Sequence, residues 1–341
     1  MRPLLIAFTL LLVGPVVTAQ QQSDAPRVGV LVGVHRVPFS LDSNGPLAAS
    51  TLRTVWLDTA GTRAGDIPAL LLPRRFGFWW LALESTCAEE PRLRDDDGEP
   101  TGQYEVEIAD DLRALPLADR AATASSTACE ARDIACDVDR RISIDWVWPE
   151  MISLDRGGEG SCGAHPDGYH EYSVHTIDDL SRRLPLGAVL GDAAGRRFQR
   201  AFDRAKLELA AEPDRKECSE KAMFSPSSWH LTRKDDHWRI AGWSETHRMC
   251  GVGIDYTIDA DLTRFTRGQP RADALSSPDG RWVLRITADA VLLSPRGAPD
   301  RPVARVPLSE QDSVVMVEWA TGRNVARWRD EVARLTAAPA R

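Results

Sequence analysis

Six cysteines, Cys87, Cys129, Cys136, Cys162, Cys218 and Cys250, all follow a short apolar leader, and this combination constrains the fold of the 341-residue chain more than any other feature. The leader carries Arg2, an apolar run from Leu4 to Val17, and Val17-Thr18-Ala19 before three glutamines, the small-x-small pattern of a signal peptidase site. Residues 1–19 are therefore expected to be an export signal cleaved after Ala19, which makes the mature protein periplasmic or secreted. No cysteine stands at the junction to carry a lipid, and no later segment approaches the roughly 18 consecutive apolar residues of a membrane span. An even number of cysteines in an exported chain implies a disulfide framework, here three bridges. Spacing leaves the connectivity open, with a local Cys129–Cys136 bridge as the first choice. Zinc held by cysteine is disfavoured because no C-x-x-C pair occurs.

The charge balance narrows the partners. With 42 Lys plus Arg against 50 Asp plus Glu the chain is net -8, which argues against nucleic acid. Residues 264–341 run the other way, with 13 arginines against 9 acids. Those arginines are interspersed with acids, and arginine dominates the cations throughout, so the segment reads as a compositional habit. At 43% hydrophobic and 27% charged, the chain is globular and long enough for two ordinary domains behind the leader.

Period-two runs bounded by glycine and proline predict a β-meander domain over 27–117, followed by an α+β domain over 140–262. Residues 263–341 are expected to add a β-hairpin segment and a terminal helix from about Asn324 to Leu335. The clearest helix should start at Asp192, because Phe198, Ala201, Phe202, Ala205 and Leu209 recur at three and four before Pro213. The expected fold class is thus α+β, antiparallel and β-rich, with a central amphipathic helix packed on a sheet in the second domain.

Few residues carry a chemical signature. His165, His170 and His175 could suggest an open zinc site, but residues five apart face opposite sides of a strand and lie about 140° apart on a helix. The acidic loop at 95–98 lacks carboxylates at the first and twelfth positions of a calcium loop. Glu159-Gly160-Ser161-Cys162-Gly163 has glutamate where a nucleophile elbow needs glycine, and no P-loop or dinucleotide fingerprint is present. Thr176-Ile177-Asp178-Asp179-Leu180 resembles the T-F-D-D-G motif of polysaccharide deacetylases, yet the partner H-x-x-x-H is absent and a helix-capping turn explains it better. No catalytic residue, resident metal or cofactor is assigned. His165, Asp167 and His170, around the glycine-rich passage 157–168, are the binding candidates.

Cys162-Gly163-Ala164-His165-Pro166, preceded by the strand Met151 to Leu154, resembles the G-G-A-H-P motif of an extracytoplasmic domain of unknown function. That domain is shared by a lysozyme-sensing anti-sigma factor and the non-catalytic part of peptidoglycan deacetylases. The resemblance spans about 140–262, with cysteine in place of the first glycine, and implies an α+β envelope domain with no catalytic residues to transfer. The expected function is non-catalytic recognition in the cell envelope, of an envelope protein or a cell-wall fragment. A metal-dependent hydrolase of wall polymers and a structural or assembly protein are the alternatives.

One consequence is directly measurable. Thiol titration of the unreduced, denatured protein should find no reactive cysteine, and two or more per chain would contradict the disulfide framework.

Overall fold

The computed structural model describes residues 28–37, 49–94, 97–120, 127, 129–130, 134–160, 167–226, 228–234, 237–245, 253–260 and 275–337. In chain order the strands are β1 (Val28–Arg36), β2 (Thr51–Asp58), β3 (Arg63–Ile67), β4 (Leu70–Arg74), β5 (Gly77–Arg92), β6 (Gln103–Pro116), β7 (Ile134–Val147), β8 (Met151–Gly160) and β9 (Asp167–Thr176). Helices α1 (Leu186–Leu190), α2 (Asp192–Ala210) and α3 (Lys216–Lys221) follow. Then come β10 (His230–Lys234), β11 (His237–Glu245), β12 (Gly253–Asp259), β13 (Trp282–Ile286), β14 (Ala290–Pro295), β15 (Ala304–Pro307), β16 (Asp312–Thr321) and α4 (Arg323–Ala337). Among the described residues no helix is long and apolar enough to cross a membrane.

The described residues form four sheets. A six-stranded sheet runs β4-β5-β6-β7-β8-β9, a four-stranded one β16-β1-β2-β3, and β10-β11-β12 and β13-β14-β15 form two three-stranded sheets. Among the described strands all pairings are antiparallel except β6 with β7. Strands from the N-terminal and second expected units therefore share the six-stranded sheet. The first described strand also lies hydrogen-bonded between β2 and β16.

β1 owes that central place to its composition. Val28, Val30, Val32 and Val34 fill one side and Leu31 the other, all buried, as a strand covered on both faces requires. The β-branched residues suit the pleat, and the glycines between them admit bulky neighbours. At Gly29 an added Cβ would fall 2.0 Å from the buried Trp56 ring.

The expected fold class needs correction. α+β holds broadly, but the protein is predominantly β, built of several sheets, and a central helix packed on a sheet is not its organising element. α2 forms where the apolar spacing places a helix, but it runs beside the edge strand β12 of a small sheet. Phe198 and Phe202 meet Tyr256 there at ring distances of 4.7 and 5.2 Å. The physical reason is that the main apolar surface belongs to strands whose residues point to both faces. Sheet-on-sheet burial dominates.

The local Cys129–Cys136 bridge is also overturned, because Cys129 is bonded to Cys87, 42 residues away. β6 and β7 run parallel, so the intervening chain must travel back along the sheet before β7 can begin. That return carries Cys129 over β5 and β6, where it packs with Cys87, Val106 and Ile108, while Thr127 N–H donates to Ser85 O at 2.9 Å. Cys136 instead enters the ladder beside Glu105. Cys136 and Cys218 are each engaged in a disulfide as well. Cys162 and Cys250 lie outside the described residues.

Gly29→Ala should destabilise the protein by about 1–3 kcal/mol, because the methyl group overpacks against Trp56 in a site closed on both faces. Denaturant unfolding checks this; an unchanged midpoint would show that β1 is not packed as described.

Candidate functional site

The site originates in an irregularity of β7. Ile144 pairs with Leu154 and Trp146 with Ser153, so Asp145 is an extra residue opposite none, a β-bulge. A bulge re-aims the side chain at its centre and releases a backbone donor from the ladder. Both effects are present here.

Asp145 turns toward the sheet β10-β11-β12. His230 Nδ1–H donates to Asp145 Oδ2 at 2.6 Å, and Ser153 Oγ–H donates to the same oxygen at 3.2 Å. Ser153 Oγ in turn accepts from Leu231 N–H at 2.8 Å, and Ser153 is fully buried. Tyr172 stacks on His230 with ring centroids 3.9 Å apart and an interplanar angle of 7°. Trp238 inserts against Trp146 and Trp148, 5.1 Å from each. The two sheets are thus joined by one charge-assisted hydrogen bond, a stacked imidazole and phenol, and three indoles.

The released donor is Ile144 N–H, which reaches His35 Nδ1 at 3.3 Å. The proton of His35 therefore resides on Nε2, which is buried without a partner. Burial pushes His35 down to about 4, since charging the ring would cost its solvation and its one hydrogen bond.

Asp145 also floors a cleft of about 1000 Å³ between β7, β10, β13 and β16. Trp146, Ser143, Thr232, Thr287 and Glu310 contribute to its walls. Asp312, at its rim, is tied to Arg36 and Arg53. A cleft of this size, lined by several hydroxyls and carboxylates, suits a polar ligand rich in hydroxyl or amino groups.

The binding candidates fall out as follows. His170 is exposed on β9 beside Tyr172 and Trp243, and its Nδ1 lies 3.2 Å from Asp155 Oδ1. Burial pushes the Asp155 carboxyl above the usual carboxylate range, opposed by His170. The Tyr172 phenol is pushed up to about 12 by burial and by Asp155, Asp255 and Asp145. His165 lies outside the described residues. Asp167 pairs with Gly160 through its backbone, and its side chain lies outside them too.

His175 is on the opposite face of β9 from His170, buried, with Nε2 2.8 Å from Ser173 Oγ. Burial, with Arg156 and Arg183, pushes it down to about 4. His170 and His230 flank Tyr172, so they do not converge on a common point. Among the described residues the only cluster with metal-ligand spacing is Cys87, Glu89 and Cys129, and its two sulfurs are bonded to each other.

Asp145, Ser153, Asp155, Tyr172 and His230 escaped the sequence reading. Each sits in a strand of ordinary alternation, and His230 is 85 residues from the carboxylate it binds. The one visible signal was Asp145 set between Ile144 and the apolar triplet Trp146-Val147-Trp148.

No protein-family model matches the chain, and no curated protein matches it. Among solved structures it is similar to a DUF3298 family protein from Pseudomonas aeruginosa PAO1, at 10% identity and a TM-score of 0.31, over 57% of this chain and 91% of that one. No site residue is carried over from a likeness of that degree.

The buried histidines set an acid limit. In the unfolded chain His35 titrates near 6.5 and in the folded protein near 4, so between those values the unfolded state binds more protons. Its contribution is complete above pH 6.5 and declines as pH falls to 4, by up to about 3 kcal/mol. Glu318, pushed up to about 8, shifts stability in the opposite sense, so the measurement is a difference that cancels it. The unfolding free energy of the protein minus that of His35→Gln should fall on acidification across this window; a constant difference would contradict the assignment.

Proposed function

We propose that the protein is an exported, disulfide-bonded recognition module of the cell envelope that binds a cell-wall fragment in the cleft floored by Asp145 without transforming it. The observation that carries this reading is the closed network at the cleft floor. Asp145 is held by His230 and Ser153, and Ser153 is buried with its donor and acceptor both engaged. A nucleophile needs an accessible oxygen beside a base with a free lone pair, whereas this serine is turned into the joint. What the cleft presents to a ligand is binding chemistry: hydroxyls and the Glu310 carboxylate for amino or hydroxyl donors.

Export is supported by the leader and by bridged cysteines, which persist in oxidising compartments. The C-G-A-H-P motif at 162–166 supports an envelope setting through its resemblance to the extracytoplasmic domain. A preformed, rigid cleft between clamped sheets suits recognition, because little ordering has to be supplied on binding.

Calorimetric titration with soluble peptidoglycan fragments should show saturable binding and recovery of the fragments intact. Glu310→Gln should weaken it about tenfold, equivalent to about 1.4 kcal/mol, with an unchanged melting temperature. Absence of binding, or fragments recovered cleaved or deacetylated, would overturn the reading.

A further inference from the structure

The cations of the C-terminal segment, read from the sequence as a compositional habit, meet others in space. The β4–β5 hairpin turns through Arg75 and Phe76, and its tip lies beside α4. Arg74 and Arg75 from the hairpin and Arg327 and Arg334 from the helix line one cleft of about 760 Å³, with Phe76 and Trp79 among them. It shares no lining residue with the cleft at Asp145.

Two features of this corner call for a partner. Phe76 is 89% exposed, although burying such a ring is favourable. Arg74 pairs with Asp178 and Arg334 with Glu331, whereas Arg75 and Arg327 face no carboxylate within salt-bridge distance among the described residues. Arg75 lies over the Phe76 ring at 4.9 Å, which places a cation against the exposed aromatic. Glu318, a half-buried acid near Arg74, is pushed up to about 8 by desolvation, so it leaves the positive charge largely uncancelled at neutral pH.

We propose that this corner docks on the surface of an anionic phospholipid bilayer, with Phe76 entering the boundary between headgroups and acyl chains and Arg75 and Arg327 against lipid phosphates. One aromatic ring is too little apolar area for a stable protein–protein interface. An inserted aromatic combined with clustered cations is the two-signal arrangement that gives reversible attachment to a membrane surface. Concavity between hairpin and helix accommodates a headgroup. Since the chain as a whole is net -8, its overall field repels an anionic surface, and binding must depend on this corner.

Vesicle flotation of the full chain tests the proposal, each variant being read against the parent protein so that any contribution of the apolar leader cancels. The protein should float with vesicles of phosphatidylcholine plus phosphatidylglycerol beyond its level on phosphatidylcholine alone. Phe76→Ser and the pair Arg75→Gln/Arg327→Gln should each reduce that excess by about fivefold or more, with unchanged melting temperatures. Equal flotation on both vesicles, or an excess that both variants retain, would overturn the proposal. Saturable binding of glycerol phosphate in solution, lost in the arginine variant, would also overturn it by assigning the cleft to a free anion.

Discussion

One extra residue in β7 determines how the rest of the molecule is joined. The bulge at Asp145 gives the strand two things a regular ladder would withhold: a carboxylate aimed across the sheet and a backbone N–H with no ladder partner. Asp145 accepts from His230 on the neighbouring sheet, and Ile144 N–H donates to His35 on β1. Through these two bonds the six-stranded sheet is tied to the sheet of β10-β11-β12 on one side and to the four-stranded sheet on the other. Such bonds are strong because they are buried, and they carry a matching risk. Loss of His35 would strand the buried Ile144 N–H away from water, and loss of Asp145 would leave the His230 ring without its acceptor.

The same constraint shapes the cleft. Asp145 can floor an open cleft only if something else holds its carboxylate, and His230, stacked on Tyr172, does so with one ring nitrogen. Ser153 takes a second contact to the same oxygen and is itself anchored by Leu231 N–H. The result is a fixed acidic floor beside Trp146, set in rigid strands. The groups there that could move protons are committed to the joint.

Much of the local structure was legible in the sequence and little of its assembly was. The stripe Phe198, Ala201, Phe202, Ala205 and Leu209 specifies α2, since periodicity is a local property. Its position at the edge of a small sheet is not local, and the expectation of a central helix failed there. The parallel pairing of β6 with β7 and the bridge between Cys87 and Cys129 depend on where the chain returns, which spacing does not encode. A bulge is a mismatch between two strands and has no signature in either alone. His170 was legible because the glycine-rich passage drew attention to its surroundings, whereas His230 lay among residues of plain strand character.

The account stands or falls on the Asp145–His230 bond as a joint between sheets. A double-mutant cycle on stability with Asp145→Asn, His230→Gln and the pair measures that coupling apart from the cost of each change alone. The account predicts a coupling of about 1.5–3 kcal/mol, the range for a buried hydrogen bond to a charged group. Additive effects, with a coupling below about 0.5 kcal/mol, would contradict it and leave the two sheets held by the Leu231–Ser153 hydrogen bond and apolar contact.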